Sequence, residues 1–275
     1  MDKTISVQST DLFYRVEGDG YPVVLLHGFS EDGHVWDLQV DFLKAHFRML
    51  VPDISGSGKS AYNERLRSME DYAETIKSIL DKEGISECIF IGHSMGGYIG
   101  LALAEKYPEL LKGFGLFHST AFADSEERKQ VRKKGIAFIR EHGSREFVES
   151  TQPNLFSDQF RKDHPDTVSK LVARYSGFDP AALINYYEAM IMRPDRTAVL
   201  KKLTVPVLFI MGEEDKAVPM EDTLKQTHLP AIADIHIFKN IAHMGMLENT
   251  AGSNESLKHF IDLCLDTHAR PSPKK

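Results

Sequence analysis

The sequence predicts an α/β protein in which a mostly parallel central sheet carries helices on both faces. Short apolar runs that end in turn residues alternate with amphipathic helical patterns along most of the chain. Most of these runs are continuous in apolarity, which is typical of strands covered on both faces, as in parallel sheets. The length of 275 residues suits one large domain or a domain with an insertion. Ligands of such sheets bind at the carboxyl ends of the strands.

The predicted strands are short. Around Leu12, Tyr14 and Val16, apolar and polar residues alternate as they do in a half-buried strand. The remaining predicted strands are continuous apolar runs that end in turn residues, at 23–28, 47–53, 88–94, 113–119, 205–212 and 234–240.

Helices are predicted between the strands. Apolar residues recur at helical spacing over 36–47, 69–80 and 257–264. The second of these has clear boundaries, because Ser68 is a good N-cap with Asp71 three residues on. Gly84 fits the C-terminal stop of the same helix.

One region interrupts the alternation of strands and helices. Residues 121–200 contain helical patterns and no convincing strand, which predicts a helical cap inserted into the core domain. Residues 1–120 and 201–275 then form the core, and 267–275 are expected to fray. The cap is rich in Phe, Tyr and Met. Some of these side chains can line an apolar pocket, although packing between helices explains most of them.

Composition excludes several classes of function. The formal charge of −7 argues against nucleic acid and anionic membranes as partners, and the basic stretch 128–134 is interpreted as a solvated helix face. No apolar run reaches the ~18 residues of a membrane span, and the N-terminus lacks a secretory pattern. Cys88 and Cys264 are interpreted as buried thiols. A cytoplasmic protein acting on a small molecule is expected.

Ser94 is the predicted nucleophile. It lies in Gly92-His93-Ser94-Met95-Gly96, the G-x-S-x-G pattern, between an apolar run and a small-residue helical pattern. A serine at a sharp strand-to-helix turn projects its hydroxyl above the sheet, and a Cβ at either flanking glycine would collide with the neighbouring strand or helix. The alternative is a glycine-rich tight turn with an idle serine.

A serine hydroxyl needs a base, and His243 is the predicted one. It follows the last apolar run, on a loop at the carboxyl end of that strand. His27, His93 and His118 also lie at strand ends. His27 is interpreted as a packed, hydrogen-bonded residue, the side chain of His93 is expected to point away from Ser94, and His118 is a candidate for contact with substrate.

Asp215 is the predicted acid that orients the base. It closes the loop directly after the run at 205–212, and the order nucleophile, acid, base along the chain is the one expected for this architecture. Glu213 and Glu214 are rival acids one or two residues away, and Asp124 is a more distant rival. A solvated acidic turn is the structural alternative.

A tetrahedral intermediate needs an oxyanion hole. The backbone N–H of Met95, directly after the nucleophile, is one predicted donor, and the N–H of Phe29 on the loop after the first long apolar run is the other. Each donor contributes roughly 3–4 kcal/mol to stabilisation of the transition state. Without the other motifs, the turn that contains Phe29 is equally well explained as an ordinary end of a strand.

Taken together, these motifs resemble those of the α/β-hydrolase superfamily of serine hydrolases. The resemblance runs from about Leu12 to Leu265 and rests on HGFS (27–30), DISGSGKS (53–60), GHSMGG (92–97), PVLFIMGEED (206–215) and AHMGMLE (242–248). Segment 121–200 is similar to the variable helical cap of that superfamily. Ser55 stands where proline is common. The resemblance implies hydrolysis through an acyl-enzyme.

No cofactor or metal is expected. Gly58-Lys59-Ser60 invites a phosphate-loop interpretation, but that loop needs a glycine where the chain has Asp53. Gly56, Gly58 and Ala61 imitate a dinucleotide fingerprint weakly, and a polar segment follows them instead of a helix. No His, Cys, Asp or Glu cluster has the spacing of metal ligands along the sequence.

The substrate is the least determined feature. The superfamily includes esterases, lipases, thioesterases and C–C bond hydrolases, and the fold alone does not choose among them. A small, uncharged carboxylic ester is predicted, with a C–C bond hydrolase or thioesterase as the alternative on the same triad. A non-catalytic ligand-binding protein is the alternative of another class. His118 and Trp36 are the candidate substrate-binding residues.

Overall fold

The computed structural model of the protein describes residues 1–7 and 9–266, so the predicted fraying of 267–275 lies outside the described residues. An eight-stranded sheet forms the centre of the fold. Its strands are β1 Asp2–Val7, β2 Thr10–Glu17, β3 Pro22–Leu26, β4 Arg48–Pro52, β5 Cys88–His93, β6 Leu111–Phe117, β7 Val207–Gly212 and β8 Ala233–Phe238.

The sheet is mostly parallel, as predicted. Its strand order is β1-β2-β4-β3-β5-β6-β7-β8. Strands β3 to β8 pair in parallel, whereas β1 with β2 and β2 with β4 are antiparallel. Parallel pairing places the carboxyl ends of β3, β5, β6, β7 and β8 at one edge of the sheet, where the loops that carry the candidate site residues begin.

Burial separates the middle of the sheet from its margins. Every residue of β5 is buried, as its continuous apolarity predicts. For β8 that interpretation is wrong, because Ile235 and Ile237 on this edge strand are 43% and 47% exposed. Strand β1 was not predicted, since its residues alternate between exposed and half-buried at the opposite edge and form no apolar run.

Helices cover both faces of the sheet, as predicted. Val24 and Leu26 of β3 belong to a hydrophobic cluster with helices α2 and α3, and Val23 and Leu25 belong to a second cluster with helices α1 and α11. The helices are α1 Asp37–Leu43, α2 Met69–Lys82, α3 Met95–Lys106, α4 Glu126–Thr151, α5 Asp158–Asp163, α6 Pro165–Tyr175, α7 Pro180–Met192, α8 Thr197–Lys202, α9 Met220–Leu224, α10 Gly245–Glu248 and α11 Thr250–Leu265.

Helix α2 has the boundaries that its sequence predicts. The Ser68 hydroxyl accepts the Asp71 N–H at 3.1 Å, and the Asp71 carboxylate accepts the Ser68 N–H at 2.9 Å, which completes a capping box. Gly84 follows the helix with a φ of 66°. The first predicted helix is shorter than expected, because Trp36 lies in a 3-10 turn before α1 and Phe47 lies in the turn after it.

Residues 121–200, all of which the structure describes, contain no strand. Helices α4 to α8 lie between β6 and β7, and α4 packs against α7. Gly143, with a φ of 84°, interrupts the helical backbone of α4. That this insertion forms a separate cap domain stays a prediction.

Two further expectations can be compared with the described part of the chain. Cys88 and Cys264 are both free and buried, which confirms the interpretation as buried thiols. None of the helices within 1–7 and 9–266 is both long enough and apolar enough to cross a membrane.

Ser68→Ala removes one half of the capping box and is expected to lower the free energy of unfolding by about 1 kcal/mol. Urea denaturation followed by circular dichroism measures this. Ser78→Ala on the same helix is the control, because the Ser78 hydroxyl donates to the carbonyl of Glu74 within the helix and takes no part in the cap. Equal stability of the Ser68 and Ser78 variants would show that the box contributes nothing.

Candidate active site

Ser94 lies on a sharp turn between β5 and α3. Its φ of 49° is in the left-handed region, which is strained for a residue with a side chain. A Cβ on Gly92 would lie 2.4 Å from the carbonyl carbon of Gly96, and a Cβ on Gly96 would lie 2.5 Å from the carbonyl oxygen of Leu26. Both glycines of the motif are therefore required by close backbone approach.

Hydrogen bonds hold this turn on both sides. The Ser94 N–H donates to the Phe117 carbonyl at 3.0 Å, and the Ser94 carbonyl accepts the Ser119 hydroxyl at 2.7 Å. The Gly97 N–H donates to the same carbonyl at 3.0 Å. The surrounding contacts thus maintain the strained backbone and leave the half-buried Ser94 side chain facing a cavity.

His243 and Asp215 meet above the ends of β7 and β8. The Nδ1 atom of His243 lies 2.8 Å from Oδ2 of Asp215, and both side chains are buried. Oδ1 of Asp215 accepts the backbone N–H groups of Ala217 and Val218, each at 2.8 Å. With the proton on Nδ1, the Nε2 atom of His243 is an acceptor. His243 and Ser94 line the same cavity.

The rival acids lie elsewhere. Glu213 and Glu214 are exposed. Asp124 is buried, but its carboxylate forms ion pairs with Arg132 at 2.5 Å and with Arg193 at 2.9 Å. Of the candidate acids, Asp215 is the one that the structure brings to the His243 ring.

His118 does not line the cavity, so its interpretation as a substrate contact is wrong. The N–H of this residue donates to the Ile210 carbonyl at 2.8 Å, which holds the end of β6 beside β7. Its ring is buried, with Nδ1 3.0 Å from Oδ2 of Asp215. The ligand-type atoms of His118, Asp215 and His243 lie within 4.8 Å of one another, and their hydrogen bonds account for this spacing. The expectation of no metal stays a prediction.

Burial and neighbouring charges shift the pKa values of Asp215 and His243 in opposite directions. Burial disfavours the charged form of Asp215, yet contact with His243 and His118 holds the pKa of this carboxyl below its usual range. Burial disfavours the imidazolium of His243, but the adjacent carboxylate raises its pKa above the ordinary 6.5. For His118 burial prevails and lowers the pKa to about 4, so this ring is neutral at pH 7.

The side chains of Trp36 and His27 pack or hydrogen-bond within the core. Trp36 is fully buried and packs edge-to-face on Phe117, with ring centroids 5.1 Å apart, and it does not line the cavity at Ser94. The interpretation of Trp36 as a substrate contact is therefore wrong. Nε2 of His27 accepts the Ile54 N–H at 3.0 Å, which agrees with the interpretation of His27 as a packed, hydrogen-bonded residue.

A buried Glu31–His93 pair joins the loops around the site. The His93 ring lies 3.0 Å from the Glu31 carboxylate through Nδ1 and 3.1 Å from the His243 carbonyl through Nε2. Glu31 also accepts the Gly28 N–H at 2.7 Å. The side chain of His93 thus points away from the cavity, as expected. Sequence reasoning missed Glu31, because its contact with His93 joins residues 62 positions apart and no local pattern marks it.

The predicted oxyanion donors lie on either side of Ser94. Met95 is the first residue of α3, so its N–H has no carbonyl one turn earlier in that helix. Among the described residues, the N–H of Phe29 donates no hydrogen bond. A Cβ on Gly28 would lie 3.1 Å from Cβ of Ser94, so the Phe29 loop approaches the serine closely.

The cavity at Ser94 has a volume of about 170 Å³ and extends beneath the inserted helices. The Phe29 ring stacks on Tyr187 of α7 with centroids 4.3 Å apart, which forms one wall. The lining residues are Phe29, Glu31, Ser94, Tyr98, Arg128, Val131, Arg132, Leu155, Tyr187, Met190, Ala217, Val218 and His243. Tyr187 and Met190 belong to the aromatic and methionine residues that the sequence offered as pocket candidates.

Imidazole titration by NMR should separate the two rings on Asp215. The midpoint for His243 is expected above 6.5 and that for His118 near 4. Asp215→Asn removes the carboxylate that favours the imidazolium, so the pKa of His243 should fall. Glu214→Gln, at an exposed neighbouring position, should change neither value. A His243 midpoint that Asp215→Asn does not move would contradict the assignment of this contact.

Comparison with known proteins agrees with this architecture. The family model of the alpha/beta hydrolase fold matches residues 21–250. The putative carbamate hydrolase RutD of Pantoea ananatis is 29% identical over 219 residues, covering 76% of this chain and 78% of that protein. The pimeloyl-[acyl-carrier protein] methyl ester esterase of Vibrio vulnificus is 26% identical over 258 residues, covering 86% of this chain and 92% of that protein.

A solved structure of a thermophilic esterase from Thermogutta terrifontis superimposes with a TM-score of 0.90 at 26% identity, covering 96% of this chain and 99% of that chain. These relatives are named hydrolases or esterases, and the family model spans most of the sequence. The protein therefore belongs to the alpha/beta hydrolase fold family and is a hydrolase.

Proposed function

We propose that the protein hydrolyses a small carboxylic ester, with Ser94 as nucleophile, His243 as general base and Asp215 as the residue that orients the base. One observation carries the proposal: the hydrogen-bonded His243–Asp215 pair opens onto the same cavity as the strained Ser94 turn. This arrangement of nucleophile, base and orienting acid is the one that acyl transfer requires.

In the first half-reaction, Nε2 of His243 accepts the hydroxyl proton as Oγ of Ser94 attacks the ester carbonyl carbon. The N–H groups of Phe29 and Met95 hold the oxyanion that forms. The intermediate then collapses, the imidazolium of His243 protonates the leaving alcohol, and an acyl-enzyme remains on Ser94. In the second half-reaction, His243 activates a water molecule, which releases the carboxylic acid and restores the serine.

Asp215 supports both half-reactions through its charge. Its carboxylate keeps the His243 proton on Nδ1 and stabilises the imidazolium that forms in each transition state. The two backbone N–H groups on Oδ1 and the neutral His118 on Oδ2 fix the carboxylate in place. In this proposal His118 is a positioning residue, because it acts through Asp215.

Cavity size and the relatives favour an ester substrate. A volume of about 170 Å³ beneath apolar and aromatic side chains suits a short acyl or alkyl chain. Two of the compared proteins are named esterases, one of them for a methyl ester. A thioester or C–C bond substrate on the same triad is the alternative, and comparative assays with a panel of these substrates decide between them.

Ser94→Ala is expected to abolish turnover of p-nitrophenyl butyrate and labelling by a fluorophosphonate probe, because both need the activated hydroxyl. Ser150→Ala is the matched control, since the Ser150 hydroxyl bonds only the Phe147 carbonyl on α4. Retained turnover in a folded Ser94→Ala protein would refute the nucleophile. Tight ligand binding by the wild type without any turnover would indicate the non-catalytic alternative.

The pH dependence of kcat/KM tests the base and its acid together. Activity requires neutral His243, so the wild-type rate should fall on the acid side with a midpoint above 6.5, in the direction of the raised pKa. Asp215→Asn should lower kcat by about 10³- to 10⁴-fold and move the residual acid limb to lower pH. Glu214→Gln should leave both unchanged. A large loss in Glu214→Gln with a small one in Asp215→Asn would reverse the assignment.

A further inference from the structure

A second, larger chamber adjoins the cavity at Ser94. This chamber has a volume of about 320 Å³ and shares Tyr98, Arg128, Arg132, Ala217 and Val218 with the inner cavity. The inner cavity is lined mainly by apolar and aromatic residues, whereas the outer chamber adds several charged residues. A substrate whose ester lies at Ser94 therefore extends towards a charged region.

Most charged side chains around the two chambers form ion pairs or hydrogen bonds within the protein. Arg132 and Arg193 share the buried Asp124. Asp222 forms an ion pair with Lys225 at 2.8 Å, and Asp195 accepts the Thr197 N–H at the start of α8. These groups stabilise the helices of the insertion and the turn beside it.

Arg128 is different from the other arginines. Its guanidinium donates to the Lys216 carbonyl at 3.3 Å, and no carboxylate lies within ion-pair distance of it among residues 1–7 and 9–266. The residue is half-buried and lines both chambers, and its hydrogen bond to Lys216 is exposed, so the guanidinium is accessible to a ligand. The interpretation of 128–134 as a solvated helix face did not foresee that Arg128 lines both chambers.

The position of Arg128 ties it to the candidate catalytic residues. Lys216, whose carbonyl it bonds, directly follows Asp215 and precedes the two N–H groups that hold the Asp215 carboxylate. Burial lowers the pKa of His243, Asp215 raises it above its ordinary value, and the charge of Arg128 opposes that rise. Arg128 thus lies within electrostatic reach of the His243 ring.

The acidic residue of the inner cavity does not neutralise Arg128. Glu31 also lines that cavity, but its carboxylate is held by the Gly28 N–H and the His93 ring. The part of the cavity wall formed by Arg128 consequently keeps a positive charge. A guanidinium presents parallel N–H donors that match the two oxygens of a carboxylate.

We propose that the substrate ester carries a carboxylate, which pairs with Arg128 while its ester carbonyl lies at Ser94. This inference rests on the proposed ester hydrolysis and replaces the uncharged ester expected from the sequence. The apolar inner cavity accommodates the short chain between the two groups. Either half of the ester can bear the carboxylate, so a monoester of a short dicarboxylic acid and an ester of a hydroxy acid share the required chemistry.

Mono-p-nitrophenyl glutarate and its neutral methyl ester, methyl p-nitrophenyl glutarate, form a matched substrate pair. The wild type should prefer the monoester in kcat/KM. Arg128→Gln should lower kcat/KM for the monoester by about 10- to 100-fold, the effect of losing a hydrogen bond between charged groups. Turnover of the neutral diester is the reference for any change at His243, so the ratio of kcat/KM for the monoester to that for the diester should fall by the same factor, and Arg128→Lys should recover part of the loss. A second pair, 4-acetoxybenzoate and methyl 4-acetoxybenzoate, places the carboxylate in the alcohol half of the ester. A loss confined to one pair identifies the half that reaches Arg128.

Lys129→Gln is the control for a change of net charge, because Lys129 pairs with Glu126 on the same helix and does not line either chamber. It should leave both substrate preferences unchanged. Equal losses for charged and neutral esters in Arg128→Gln, or a wild-type preference for the neutral esters, would overturn the proposal.

Failure of the proposed function is distinguishable from failure of this inference. If neutral esters are hydrolysed in a Ser94-dependent manner and no charge preference exists, only the role of Arg128 is wrong. If no ester is hydrolysed, calorimetry of glutarate binding to the wild type and to Arg128→Gln tests the anion site directly. Binding weakened by the substitution supports the site, and binding that is absent or unchanged overturns it.

Discussion

The arrangement of the site depends on one buried carboxylate, that of Asp215. An unpaired carboxylate in this position would be very costly, and burial would then drive it to the neutral form. It stays ionised because it accepts hydrogen bonds from His243, His118 and two backbone N–H groups. These donors lie in the segments that follow β6, β7 and β8, so this charge connects the three strands at the edge where the chemistry is proposed.

The sheet and the inserted segment both position the loops around this carboxylate. Parallel pairing of β6 with β7 places His118 beside Asp215, and the turn at Ser94 is tied to the end of β6 through the Phe117 carbonyl. From the insertion, the Leu155 carbonyl accepts the His243 N–H at 2.9 Å. The Gln152 amide donates to the carbonyl of Ser30, next to Phe29 of the proposed oxyanion hole, at 3.0 Å. The inserted segment therefore supports the loops of the candidate site as well as covering them.

Sequence patterns predicted the features of the fold that arise from local interactions or from the burial of a whole strand or helix. The glycines around Ser94, the capping box of α2 and the apolar runs of the central strands each depend on neighbours in sequence or on burial of a whole element. His118 and Glu31 depend on contacts 97 and 62 residues away. No periodicity or motif reports such pairs, so one was interpreted as a substrate contact and the other was missed. The exposed isoleucines of β8 were not predicted for a related reason, because the place of this strand at the edge of the sheet follows from strand order, which local sequence does not report.

In the basic stretch 128–134, sequence patterns do not show which arginine is paired within the protein and which is available to a substrate. Arg128 and Arg132 lie one helical turn apart on α4, and both line the chambers above Ser94. Arg132 forms an ion pair with Asp124 from the loop before the helix, whereas Arg128 donates to a backbone carbonyl of the core. Arg132 thus stabilises the fold through an ion pair, whereas Arg128, one turn earlier on the same face of the helix, has no carboxylate partner among the described residues. In the proposed enzyme, the core supplies the hydrolytic groups, and the charge that selects the substrate comes from the inserted segment, because Arg128 of α4 lines the cavity at Ser94 and has no carboxylate partner in the part of the chain that the structure describes.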